Sequence, residues 1–167
     1  MLPGPFDDLI TANKIHAVTH QPPATKGAAG RQLAVITCMD CRVSPAAVFR
    51  LDPGDAVILR TAGARVTDDV LRALVVATHL LDVTRVVVMG HTDCRMTTNT
   101  DEELHHAIGR MAAVDTRSLD FGTISDQRVA LARDVQRIRS SPYLPAALDV
   151  LACVYDLGTG CVTELST

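Results

Sequence analysis

Residues 33–51, LAVITCMDCRVSPAAVFRL, decide how the rest of the chain is read. Leu33–Thr37 is a short apolar run with β-branched residues, which reads as a buried strand. Ser44-Pro45 reads as a helix cap followed by proline at the first helical position, opening a short helix to about Leu51. Between strand and helix lies a turn that carries Cys38, Asp40, Cys41 and Arg42. A strand running into a helix through a polar turn is the repeating unit of α/β proteins.

The same rhythm continues downstream. Asp52-Pro53-Gly54-Asp55 is a turn, Ala56–Leu59 a second strand and Thr61–Ala64 a loop. Thr67-Asp68-Asp69 caps a helix ending near Leu81, its acidic first turn suiting the positive end of the helix dipole. Arg85–Met89 is a third strand, and 101–113 and 125–139 are helices. In the second of these, Ser125 is the expected cap and Val129, Ala132, Val135 and Ile138 the apolar stripe. Leu151–Tyr155, the turn Asp156–Gly160 and Val162–Leu165 read as a strand and its hairpin return. Upstream, residues 6–19 read as an amphipathic helix with Phe6, Ile10 and Ile15 on one side, and 21–30 as a linker. The expected fold is α/β: a central, mostly parallel sheet of four to five strands flanked by helices, with an N-terminal helical arm. Residues 1–167 make one domain on this reading, 1–30 being arm and linker and 31–167 the core. The arm is placed to pack on a second subunit.

Composition narrows the function. Apolar residues make up 47% of the 167, enough for a real core. A net charge of -3 argues against nucleic acid as partner, since phosphate binding needs a basic face. No apolar run approaches the roughly 20 residues of a membrane span. The opening MLPGPFDDLI lacks a basic region followed by an apolar block, so no signal peptide is read and a cytoplasmic location is expected. Five cysteines, an odd number, argue against a disulfide framework and for ligands, catalytic groups or core residues. Cys153 and Cys161 are assigned to the core or the hairpin. His105-His106 is read as an exposed helical pair.

The chemistry gathers at two strand ends. Cys38 follows the first strand at once, and His91 follows the third after one glycine. In parallel sheets, sites form beyond the carboxyl ends of the strands. Thiolate and imidazole are preferred zinc ligands, and His91-x-x-Cys94 lets two of them bend round one ion. Cys38 supplies a third, and three protein ligands leave a fourth position open for catalysis. Asp40 next to Arg42 stays ionised and oriented, able to accept a hydrogen bond from the nucleophile. Cys41 keeps two rival readings open: a closed Cys₃His structural zinc site, and a Cys38-x-x-Cys41 redox pair.

Cys-x-Asp-x-Arg after one strand and His-x-x-Cys after a later one resemble the β-carbonic anhydrases. Arg60-Thr61-Ala62-Gly63-Ala64 is similar to that family's Arg-Asn-Ala-Gly-Asn loop, and Thr67-Asp68-Asp69-Val70 with His91–Met96 resembles a short bacterial and archaeal subgroup. The likeness runs from about Leu33 to Met96, with an echo in Val154-Tyr155-Asp156. It implies one Zn²⁺ per chain on Cys38, His91 and Cys94, with Asp40 and Arg42 as the orienting dyad. It implies reversible hydration of carbon dioxide to bicarbonate, or hydrolysis of a related molecule such as carbon disulfide. It also implies a homodimer or a multiple of one, and in some members a closed state in which the aspartate, here Asp40, sits on zinc. Thr61, Ala64 and Arg95 depart from the family pattern, which has Asn, Asn and Gly there. With no tryptophan, the chain lacks one residue of the bicarbonate regulatory pocket that some members carry.

Overall fold

The computed structural model describes residues 4–22 and 27–166. Part of the expected linker, 23–26, lies outside them. The strands are β1 (Leu33–Cys38), β2 (Ala56–Thr61), β3 (Arg85–His91), β4 (Asp149–Tyr155) and β5 (Val162–Leu165). They form one sheet in the order β2-β1-β3-β4-β5. The first four are parallel, and β5 returns antiparallel to β4. The helices are α1 (Asp7–Thr19), α2 (Pro45–Phe49), α3 (Asp68–Leu80), α4 (Arg95–Thr98), α5 (Asp101–Ala112) and α6 (Gln127–Arg139), with a 3₁₀ turn at Ala62–Ala64.

All six residues of β1 are buried, because helices cover the sheet on both sides. On one face Leu74 of α3 and Val135 and Ile138 of α6 pack over Ala34, Ile36, Val86, Val88 and Ala152. On the other, Val43, Met89 and Cys153 form a smaller cluster with Val48 and Phe49 of α2. Ser44 caps α2 by accepting from the Ala47 amide, and Thr67 caps α3 by accepting from Val70.

Several elements differ from the sequence reading. β3 runs on through Gly90 to His91, so both Cys38 and His91 are the last residues of their strands. β4 begins two residues earlier, at Asp149. α6 starts later, with Asp126 as cap in place of Ser125. Its buried face is Leu131, Asp134, Val135 and Ile138, whereas Val129 faces solvent. Leu131, Val135 and Ile138 of that face pack into the core, and Asp134, which shares it, is paired with Arg65 at 2.8 Å. α4 is a single turn too short for periodicity to reveal. α1 is helical as expected but buries none of its residues, and its apolar side chains are spread around the axis without forming one stripe.

Candidate metal centre

Strand register builds the centre. β1 and β2 are paired to their ends, Cys38 opposite Thr61, while β1 and β3 pair as far as Thr37 opposite Met89. Cys38, His91 and, three residues on, Cys94 therefore meet at the same edge of the sheet. Their donor atoms all lie within 4.8 Å of one another, and all three residues are buried. The two sulfurs are 3.8 Å apart.

The imidazole is set for coordination. His91 Nδ1 lies 2.8 Å from the Thr92 carbonyl, an acceptor, so the proton sits on Nδ1 and the lone pair on Nε2. Nε2 is buried and has no hydrogen-bond partner. An orphaned buried lone pair beside two sulfurs is what a soft divalent cation fits, and the donor set is one zinc accepts. Cys38 is held below the usual thiol range, first by its hydrogen bond with Cys94 and then by His91 and backbone groups, against the opposing effect of burial. Cys94 is pushed up by the same hydrogen bond, since a second proton would have to leave beside an existing anion. Among the described residues Cys41 is exposed and outside this cluster. It offers neither a fourth ligand nor a partner for Cys38, whose sulfur instead faces Cys94.

A carboxylate stands at the edge of the cluster. Asp40 Oδ2 is 3.9 Å from His91 Nε2. Arg42 grips Asp40 through Nε to Oδ1 at 3.0 Å and Nη2 to Oδ2 at 2.7 Å, while the Arg42 amide donates to Oδ1 at 2.9 Å. These hydrogen bonds hold the Asp40 carboxyl well below the usual carboxylate range. Asp40 is thus engaged by Arg42.

Other residues fix the frame, some from the Arg60–Ala64 loop quoted above and some, such as Gln127, from outside any motif. Arg60 donates to three carbonyls of the first turn: Cys38 at 3.1 Å, Asp40 at 2.6 Å and Val43 at 2.9 Å. Gln127 Nε2 donates to the His91 carbonyl at 3.0 Å. Gly63 has φ 69°, and a Cβ there would stand 2.9 Å from Ile124 Cδ1 and 3.1 Å from Met96 Cβ. Ala64 follows at φ 61°, a left-handed position where asparagine is more at ease than alanine. Met96 and Ile124 pack with Cys38 and Cys94, flanked by Ala62, Leu104, Phe121 and Ala130. The donors thus back onto an apolar wall. His105 is not simply exposed: its ring lies tilted against Phe121, centroids 4.9 Å apart, and its Nδ1 meets Thr116 Oγ1 at 2.9 Å, whereas His106 faces solvent. Arg95 opens α4 and is exposed. Cys153 lies buried in the sheet and Cys161 exposed in the hairpin, as expected.

Comparison with known proteins gives the family. A family model described as carbonic anhydrase matches residues 33–162, most of the chain and all of the centre. The chain belongs to the β-carbonic anhydrase family. That family is one of enzymes. β-Carbonic anhydrase 1 of Mycobacterium tuberculosis is 28% identical over 161 residues, covering 96% of this chain and 97% of that one. The crystal structure of a carbonic anhydrase from Streptococcus mutans superposes with a TM-score of 0.91 at 36% identity, covering 99% of this chain and 100% of the other. The carbon disulfide hydrolase of Saccharolobus solfataricus is 28% identical over 153 residues, 77% of this β-carbonic anhydrase chain and 74% of its own.

Proposed function

We propose that this chain binds one Zn²⁺ through Cys38, His91 and Cys94 and catalyses the reversible hydration of carbon dioxide to bicarbonate. The observation that carries the reading is His91 Nε2: a buried, unpartnered lone pair between two sulfur donors and the Asp40 carboxylate. When bound, Zn²⁺ acidifies water and so supplies a hydroxide nucleophile near neutral pH. Hydroxide carries a single proton. Asp40, kept ionised by Arg42, accepts that proton in a hydrogen bond and so turns a lone pair toward the substrate. Arg42 holds the carboxylate in one orientation by its bidentate grip. The wall of Met96, Ile124 and Phe121 suits an uncharged, apolar molecule better than an ion. Bicarbonate, once charged, is poorly matched to that wall and leaves.

Carbon disulfide is the second reading, favoured by the likeness to the Saccharolobus solfataricus enzyme. It is linear and apolar like carbon dioxide and asks for the same nucleophile. Stopped-flow hydration of carbon dioxide by the zinc-loaded chain, with metal content measured alongside and carbon disulfide hydrolysis run in parallel, decides between them. Turnover of carbon disulfide alone would overturn the main reading.

The same proposal takes residues 31–167 as the catalytic core and the arm as a contact in a homodimer or a multiple of dimers. All five cysteines are free, which suits a reducing cytoplasm. No helix among the described residues is long and apolar enough to cross a membrane.

A further inference from the structure

We infer that Asp93 is a positioning residue for the hydration reaction, holding Arg42 from behind so that Arg42 can lock Asp40. The inference rests on the roles proposed above for Asp40 and Arg42. The guanidinium has two working edges. One, through Nε and Nη2, grips Asp40. The other meets Asp93 twice: Nη1 donates to Oδ2 at 2.7 Å and Nη2 donates to the backbone carbonyl at 3.0 Å. A guanidinium is planar, so anchors on both edges fix its plane as well as its position.

Arg42 needs that second anchor. Its side chain is 49% exposed, and with only Asp40 to hold it, it can swing toward water. Asp93 lies between His91 and Cys94, in the turn that carries two of the proposed metal donors. Arg42 therefore bridges the Cys38 turn to the His91 turn, 51 positions away in sequence, and keeps the Asp40 carboxylate in register with the donors. Asp93 also has φ 54°, a conformation aspartate, asparagine and glycine tolerate. An exposed ion pair adds little to stability, so the consequence of this one is orientation.

The test uses the zinc-loaded full chain with carbon dioxide as substrate and with zinc content measured for every variant. Asp93→Gly keeps the backbone angle and the carbonyl but removes the carboxylate. It is expected to lower kcat about tenfold, the scale of losing one charge-assisted hydrogen bond, with KM little changed and zinc retained. Asp93→Asn keeps an oxygen acceptor and should recover most of the rate. In an Arg42→Ala background, adding Asp93→Gly should cost less than about twofold, because its effect passes through Arg42. The Arg42 Nε–H resonance, identified by its absence in Arg42→Ala, should shift in Asp93→Gly. Full rate in Asp93→Gly, or the same tenfold loss with Arg42 already gone, overturns the inference. Asp40→Asn run beside them separates the levels. If it is fully active, the dyad reading and this inference fall together. If it is crippled while Asp93→Gly is normal, only Asp93 loses its role.

Discussion

Gln127 reaches the carbonyl of His91 at 3.0 Å, and it does so across the space a side chain at position 90 would fill. A Cβ on Gly90 would stand 2.9 Å from Gln127 Nε2, 3.2 Å from its Cδ and 3.3 Å from Leu131 Cδ1. The glycine before His91 is thus a matter of room. It lets α6 brace the last residue of β3, which carries the proposed nitrogen ligand.

Gly90→Ala follows from that relationship. The flexible end of the glutamine must shift, which strains its hydrogen bond to the His91 carbonyl. We expect a loss of about 1–3 kcal/mol in unfolding free energy by urea denaturation, with weaker zinc retention under chelator challenge. A variant as stable and as tightly loaded as the parent would show that the brace is dispensable.

Metal loading separates the three buried donors from the exposed cysteine beside them. Cys38→Ser, His91→Ala and Cys94→Ser should each lose most of the zinc, whereas Cys41→Ser should keep about one ion per chain. Zinc analysis after dialysis reads this directly. Cys41→Ser stripped as completely as Cys38→Ser would revive the Cys₃His reading.

Much of this site was legible in the sequence because its donors sit in two short motifs at strand ends, and a parallel sheet brings such ends together. The β1 to α2 passage also followed from local signals, since Ser44-Pro45 announces a helix start. What stayed hidden depended on distant neighbours. Asp134 reads as a polar position on α6, and only Arg65, 69 residues earlier, explains why it points inward. Arg60 stood in a quoted motif and Gln127 in none, but both act on carbonyl groups, so the sequence did not say what either one holds. His105 looked like half of an exposed pair until Phe121 and Thr116 closed over it. For Asp93 a signal was available, because an aspartate in a tight turn between two ligand positions tolerates the left-handed angle found there.

Asp40→Asn should retain nearly stoichiometric zinc yet lose about 10²-fold or more in kcat/KM, the scale of a positioned catalytic group. Asparagine keeps the shape but can present its amide where an acceptor is required. Stopped-flow assays paired with metal analysis measure both quantities. Full zinc with full rate would remove Asp40 from the mechanism.

Acid stability offers a check away from the centre. Asp101 accepts from Thr123 Oγ1 at 2.6 Å, from the Thr123 amide at 3.1 Å and from the Phe121 amide at 2.8 Å. The Thr123 hydroxyl is the largest cause that lowers its carboxyl to about 2. A carboxyl depressed on folding stabilises the protein above its unfolded pKa, near 4, and loses that contribution as pH falls through the folded value. Asp101→Asn should therefore be less stable than the parent at pH 7, and the gap should narrow as pH drops from about 4 toward 2. Urea midpoints at several pH values follow the difference. A gap that stays constant with pH would show that the Asp101 carboxylate is not linked to folding.

A 13-residue helix is marginal in water by itself, and most helices owe their stability to burying one face. α1 buries nothing within its own chain, and Leu9, Ile10, Ile15 and Val18 all face outward. Apolar groups spread around the axis call for contacts on more than one side, as when a helix lies in a groove or crosses another chain. A second copy of this chain is the partner always present at matching concentration. We therefore expect sedimentation equilibrium at micromolar concentration to give a dimer or a multiple of one. Removing residues 1–22 should shift the mass toward monomer, and the helical signal lost should match α1. If the full chain sediments as a stable, active monomer, the arm has no subunit to hold and its helix must owe its order to something else.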